Sequence, residues 1–168
     1  NTDCYQPAER KYKITRQLLE VFLEYRNPVS ILTKNALILR DLDLLKELAS
    51  MNLVSTLLSV TSLDPLLRSK LEPRTSTSRM KLKAMEELSK AGIPTGVMVG
   101  PIIPGLNDNE VPTILKQASE AGATRVAHTI LRLPHAILPI FTDWLEKNYP
   151  EKSKRVLTRI MMIRGGKM

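Results

Sequence analysis

Apolar residues recur along the chain in two alternating patterns, one typical of amphipathic helices and the other of buried strands. Apolar positions three and four residues apart predict helices over residues 8–25, 41–50, 78–91, 107–121, 137–148 and 151–163. Short, nearly continuous apolar runs predict strands over residues 29–33, 53–60, 96–103 and 125–131. Such strands pair in parallel, because strands that alternate with helices are joined by crossover connections. The pattern therefore predicts an α/β fold.

The predicted sheet is too small to close an eight-stranded barrel, so it is either an open doubly wound sheet or an arc of a barrel. The segment from Asn1 to Pro7 has the character of a loop that leaves a strand. We therefore predict a partial (β/α) barrel of parallel strands with outer helices, truncated at its N-terminal strand or strands. It would form a single domain over residues 1–168, the C-terminal portion of a longer protein. A processed natural terminus is the alternative.

The same spacing predicts which side chains face the core. For the first helix the inward residues are Ile14, Leu18, Val21, Phe22 and Tyr25. His128, on the fourth predicted strand, is expected in the core, as are the methionines at positions 80, 85, 98, 161 and 162.

Composition narrows the functional classes. The formal net charge of +8 could attract a polyanion, but the basic residues are scattered over helices and only 4% of residues are aromatic. Solvated helix faces are therefore favoured over a nucleic-acid groove. The single cysteine, Cys4, excludes an intramolecular disulfide and a multi-cysteine metal site within these residues. No apolar run approaches the length of a membrane span and no secretory signal is evident, so we expect a soluble protein, and the single cysteine favours a reducing cytoplasm.

Residues suited to ligand binding lie at or just beyond the carboxyl ends of the predicted strands, which meet at one edge of a parallel sheet. Lys34 offers an ammonium, Ser59 and Thr61 offer hydroxyls, and Gly100 leaves backbone open to a flat ring. Arg79, at the start of the next helix, could bind the same carboxylate as Lys34. This combination predicts a site for a zwitterionic small molecule. The alternatives are that Lys34 is solvated and that Arg79 pairs with a nearby glutamate, Glu72 or Glu86.

Several stretches of the chain resemble the spore photoproduct lyase-like branch of the radical S-adenosylmethionine (SAM) superfamily. They are TDCYQPAE at residues 2–9, VSILTK at 29–34, SVT at 59–61, LEPRTS at 71–76 and VGPIIPGLND at 99–108. The last is the most specific. Carried over position by position, the resemblance implies three residues that hold the aminocarboxylate or ribose of SAM, namely Lys34, Ser59 and Arg79. It places two residues against the adenine, Gly100 and Ile102, and three on the substrate side, Asp3, Tyr5 and Glu9.

The resemblance also implies a four-iron four-sulfur (4Fe-4S) cluster, held by cysteines spaced C-x3-C-x2-C. That motif is absent from these residues. We therefore expect a parent protein that cleaves SAM reductively to a 5′-deoxyadenosyl radical, as a lyase-like enzyme served by an electron-donor protein. This chain alone would be inactive. Relatedness to the photoproduct lyase branch makes nucleic acid a candidate substrate.

Two other functions remain open. One is a cluster-free β/α module that binds a nucleotide or polyanion, and the other is an ordinary β/α enzyme that forms a Schiff base at Lys34. A fragment without its first strand would also expose an unpaired sheet edge. Such an edge can pair with a second chain, so a dimer is expected.

Overall fold

The computed structural model describes residues 2–163, and its centre is a four-stranded parallel sheet. The strands, in the spatial order β1-β2-β3-β4, are β1 (Val29–Thr33), β2 (Val54–Ser59), β3 (Thr95–Ile102) and β4 (Arg125–Ile130). Their bounds agree with the predicted runs to within one or two residues. The prediction of an α/β fold with a parallel sheet and flanking helices is confirmed. The single-domain prediction includes residues 1 and 164–168, which lie outside the described part of the chain.

Two helices precede the first strand, and the others connect the strands or follow the last one. They are α1 (Glu9–Tyr12), α2 (Ile14–Glu24), α3 (Leu42–Ser50), α4 (Pro65–Leu71), α5 (Ser78–Lys90), α6 (Val111–Glu120), α7 (Leu138–Asn148) and α8 (Pro150–Ile163). Short 3-10 helices at Ala36–Asp41 and Asp108–Glu110 precede α3 and α6. Among these described helices none is long and apolar enough to cross a membrane.

The strand register brings the carboxyl ends of the strands to one edge. Thr33, the last residue of β1, pairs with Leu58 of β2, and the next residue of β2, Ser59, pairs with Met98 of β3. The β3–β4 ladder shifts register between Val99 and Ile102. Residues that follow β1 and β2, together with the end of β3, therefore share one rim of the sheet.

Two apolar clusters hold the helices to this scaffold. The larger lies between the sheet and the helices α2, α3, α5 and α6, and its fully buried members include Leu45, Leu58, Met85, Val97 and Ile114. The smaller joins α7 and α8 to the loop after β3 through Ile103, Leu145, Val156 and Ile160. Burial of each large aliphatic side chain stabilises the folded protein by about 1.5–3 kcal/mol. The two clusters therefore hold in place the strands and helices from which the strand-end loops extend.

Two helical predictions need correction. The helix expected over residues 8–25 is broken at Lys13, whose backbone is left-handed with φ of 52°. Residues 65–71, expected as loop, form α4 instead. The side chain of Asp64 accepts a hydrogen bond from Leu66 N, and Pro65 occupies the first turn, which together start a helix too short to show a periodic pattern.

The predicted inner face of α2 is wrong for most of its residues. The exposed fractions are 55% for Ile14, 50% for Leu18, 47% for Val21 and 73% for Tyr25. The helix instead turns Leu19 into the core, with Phe22 partly buried beside it. An apolar stripe indicates that one face of a helix is suited to burial, but it does not show which part of the protein packs against that face.

The edge strand β4 is also more exposed than predicted. β4 pairs with β3 alone among the described strands, and His128 is exposed rather than in the core. Met85 is buried as expected, whereas Met80 and Met162 are exposed. A short apolar run predicts a strand, yet it does not distinguish a central position from an edge.

Candidate functional site

A cavity lies where β1 and β2 end. Its volume is about 260 Å³, and it is lined by Thr2, Asp3, Leu32, Thr33, Lys34 and Ser59. The structure thus brings together Lys34 and Ser59, two residues predicted to contact SAM, with Asp3, which was predicted on the substrate side. A second cavity of about 420 Å³ begins on the other side of Lys34 and Asp3 and reaches Asn35 and Arg74.

Lys34 is the solvent-accessible member of a charge network whose other two members are buried. Its Nζ lies 2.8 Å from Glu72 Oε1, and Lys81 Nζ lies 3.2 Å from Glu72 Oε2. Burial alone would raise the pKa of Glu72, but the two lysine charges and a hydrogen bond from Thr61 outweigh it and hold that pKa below its usual range. Burial lowers the pKa of Lys81, and the attraction of Glu72 opposes that shift.

The hydroxyls at the end of β2 are directed at β3. Ser59 Oγ donates to Gly100 O at 3.2 Å, and Thr61 Oγ1 lies 2.9 Å from the same carbonyl and 2.7 Å from Glu72 Oε1. Because a hydroxyl has one hydrogen, Thr61 donates to one of these two oxygens at a time. The lone pairs of Ser59 Oγ stay available to a ligand in the cavity.

Gly100 is explained first by packing between strands. A Cβ atom built on it would lie 2.6 Å from Thr129 Cγ2 of β4, closer than side chains approach one another. Glycine at this position therefore allows β3 and β4 to meet at their ends. Ile102 is half-buried and packs against the larger core. Contact of Gly100 and Ile102 with an adenine stays a prediction.

Arg79 lies apart from the cavity in the first turn of α5, where its side chain is exposed. It pairs with neither glutamate considered above, because Glu72 binds Lys34 and Lys81 while Glu86 binds Lys90. The arginine that does line a cavity next to Lys34 is Arg74.

Asp3 fastens the N-terminal segment to the end of β1. Its Oδ1 accepts hydrogen bonds from Thr33 Oγ1 at 2.6 Å and Tyr5 N at 2.8 Å, and its Oδ2 accepts one from Lys34 N at 2.7 Å. The carboxylate therefore fixes the backbone from which the Lys34 side chain leaves.

Tyr5 and Glu9 are held within the protein. The buried hydroxyl of Tyr5 donates to Asp41 Oδ2 at 3.1 Å, and burial together with that carboxylate raises the pKa of Tyr5 well above its usual range. The Glu9 carboxylate accepts the N–H groups of Ile14 and Thr15, both at 3.1 Å, at the start of α2. These contacts position the N-terminal segment, and a substrate-side role for the three residues stays a prediction.

The loop after β3 contributes residues that sequence reasoning did not assign. Asn107 accepts a hydrogen bond from Ile103 N at 2.6 Å and donates one to Thr61 O at 2.7 Å. Glu110 accepts from Ser62 Oγ at 2.8 Å and from Leu63 N at 2.5 Å. Both side chains tie the loop after β3 to the loop after β2. Their sequence signal was the polar run that follows Gly105.

The described residues do not fit an iron-sulfur cluster. Within residues 2–163 no group of three or more His, Cys, Asp or Glu side chains is arranged to hold a metal ion. Burial and the nearby Asp3 charge raise the pKa of Cys4 to about 11, which disfavours its thiolate.

Comparison with known proteins identifies the family. A model of the Radical SAM superfamily matches residues 3–118, which include every strand-end residue described above up to Glu110. The chain belongs to that superfamily. Its four-stranded parallel sheet with outer helices corresponds to part of the β/α barrel of radical SAM proteins.

The relatives span bacteria, archaea and a phage. An uncharacterized protein of Mycobacterium tuberculosis is 35% identical over 157 residues, covering 92% of this chain and 46% of the relative. An uncharacterized protein of Methanocaldococcus jannaschii is 31% identical over 153 residues, covering 89% of this chain and 54% of the relative. A Pseudomonas phage M6 protein named Radical SAM Nalpha-GlyT isomerase is 24% identical over 155 residues, covering 91% of this chain and 32% of the relative. The chain thus spans about half the length of the first two relatives.

Proposed function

We propose that the cavity at the ends of β1 and β2 binds the aminocarboxylate end of SAM. The observation that carries the proposal is the convergence of Lys34 and Ser59 on one cavity at a strand-end rim. The Lys34 ammonium would attract the carboxylate, and the Ser59 oxygen would accept a hydrogen bond from the amino group. β/α folds bind their ligands at the edge of the parallel sheet where the strands have their carboxyl ends. Family membership supports the choice of SAM over other zwitterions.

The whole protein would be a radical SAM enzyme that cleaves SAM reductively with an electron from a 4Fe-4S cluster. The cysteines for that cluster would come from residues outside this chain, since the chain contains a single cysteine and spans about half the length of its relatives. An electron-donor protein would reduce the cluster. The role of the present residues is to bind and orient SAM, and we expect this chain alone to be inactive.

Nucleic acid is the substrate class that we propose for the whole protein, within the spore photoproduct lyase-like branch. The support is the resemblance of the strand-end motifs to that branch and the net charge of +8, which would favour a polyanion. Arg74 lines the second cavity beside Lys34 and makes no hydrogen bond or ion pair with the other described residues. Its guanidinium would be available to a phosphate.

The experiment is an anaerobic assay of the full-length protein after reconstitution with iron and sulfide and reduction with dithionite. The proposal predicts formation of 5′-deoxyadenosine and methionine from SAM, with a clear loss in Lys34→Met. Protein that carries the cluster yet leaves SAM intact would contradict the proposal. Failure to bind SAM, combined with salt-dependent DNA binding, would favour the cluster-free binding module instead.

A further inference from the structure

The ammonium of Lys34 shares its counter-ion with a lysine that has no access to solvent. Lys81, on the inner side of α5, is 0% exposed, whereas the Lys34 side chain is 37% exposed. One carboxylate, that of Glu72, lies between them at 2.8 Å and 3.2 Å. The three groups form a Lys34–Glu72–Lys81 triad at the edge of the proposed SAM cavity.

A fully buried lysine is costly, because removing an ammonium from water carries a large desolvation penalty that pairing only partly offsets. A methionine or leucine at position 81 would fill the same space without that penalty. Stability alone therefore does not explain why a lysine occupies position 81. The charge balance of the triad offers an explanation.

Without Lys81, Glu72 would neutralise Lys34 and leave a pair with no net charge. With Lys81, the triad carries one positive charge, and its solvent-accessible member is Lys34, which lines both cavities. Arg68 is the other cation whose charge reaches Lys81, but its guanidinium donates to the backbone carbonyls of Glu72 and Thr75 at 3.4 Å and 3.2 Å. Arg68 thus does not share the carboxylate.

We propose that Glu72 and Lys81 are positioning residues for the proposed SAM site: Glu72 fixes the ammonium of Lys34, and Lys81 supplies the charge that keeps this ammonium attractive to the SAM carboxylate. Neither residue touches SAM. The inference rests on the proposed function, and it adds residues that act through Lys34.

Thr61 strengthens the argument for Glu72. Its hydroxyl lies 2.7 Å from Glu72 Oε1, the oxygen that also binds Lys34 Nζ. Asn107 in turn donates to Thr61 O at 2.7 Å, so the loop after β3 supports the orientation of the carboxylate. The loops after β2 and β3 therefore both help to hold the Glu72 carboxylate that positions Lys34 Nζ.

The test measures equilibrium binding to the full-length protein of two probes, S-adenosylhomocysteine, which has the carboxylate, and methylthioadenosine, which lacks it. Lys81→Met is expected to weaken S-adenosylhomocysteine binding about tenfold by loss of one nearby charge, with methylthioadenosine unchanged within about twofold. The double variant Glu72→Gln/Lys81→Met restores one net charge and is expected to return to within about threefold of the wild type. The matched control is Lys83→Met, a solvent-exposed lysine on the same helix with a side chain 74% exposed.

Recovery in the double variant separates a charge role from a packing role, because a packing defect would persist when Glu72 is also changed. Wild-type affinity in Lys81→Met, or equally weak binding in the double variant, would overturn the inference. If the wild type itself binds neither probe, the proposed SAM site is wrong, which is a different outcome from a failure of the roles assigned to Glu72 and Lys81. Should Lys81→Met not fold, Lys81→Gln, whose amide can still donate to Glu72, carries the same expectation.

Discussion

The hydroxyl of Thr33 donates to the carboxylate of Asp3 at 2.6 Å, across 30 positions of the chain. The same carboxylate binds Lys34 N at 2.7 Å, so it joins the N-terminal segment to the end of β1 next to the candidate ligand-binding lysine. The candidate site therefore depends on a segment that contributes no strand to the sheet.

Replacing Asp3 with asparagine is expected to lower the free energy of unfolding by about 1–2 kcal/mol, because one amide group cannot accept every hydrogen bond that the carboxylate accepts. Urea denaturation would measure the change. Asp143→Asn, at an exposed position on α7, is the control and should change stability by less than about 0.5 kcal/mol. An Asp3→Asn protein as stable as the control would contradict the role assigned to this carboxylate.

Gly100→Ala is expected to destabilise the protein by about 1–3 kcal/mol, since the new Cβ would lie 2.6 Å from Thr129 Cγ2. Thermal unfolding followed by circular dichroism is the measurement. Adding Thr129→Ser removes the opposing methyl group and should recover most of the loss. Equal stability of Gly100→Ala and wild type would show that β4 moves away without cost.

The pKa of Glu72 predicts how acid affects stability. Burial alone would raise this pKa, yet Lys81 and Lys34 hold it below the ordinary value. A depressed carboxylate pKa contributes stability above the ordinary value of about 4.3, and that contribution is lost as pH falls through the lowered pKa. The stability difference between wild type and Glu72→Gln should therefore shrink as pH falls below about 4 in urea titrations. Glu146→Gln, exposed on α7, is the control, and a pH-independent difference for Glu72→Gln would contradict the prediction.

Cys4 should react slowly with a thiol reagent in the folded protein. With a pKa of about 11 in place of 9.0, its thiolate fraction at about pH 8 falls roughly a hundredfold. Ellman's reagent should therefore label native protein at least about tenfold more slowly than protein unfolded in urea, because the greater nucleophilicity of a high-pKa thiolate offsets part of the lost thiolate fraction. Equal rates in the two states would contradict the burial and charge environment assigned to this thiol.

Sequence patterns predicted the strands well, because buried parallel strands are continuous apolar runs. Lys34 and Ser59 could be placed at one rim for the same reason, since the carboxyl ends of parallel strands meet there. Lys81 could not be identified in this way, because a lysine on an amphipathic helix ordinarily marks the solvent side. The position of Arg79 away from the cavity depends on the rotation of α5, and the exposure of Leu18 depends on what packs over α2. Helical periodicity settles neither.

The central claim is that Lys34 attracts the carboxylate of SAM, and the most direct measurement is calorimetric binding of S-adenosylhomocysteine to the full-length protein and its Lys34→Met variant. We predict at least about tenfold weaker binding in the variant, from the loss of a charged contact. Methylthioadenosine binding should be nearly unchanged, and Lys46→Met, at an exposed lysine of α3, should match the wild type. Equal affinity of wild type and Lys34→Met for S-adenosylhomocysteine would contradict the account.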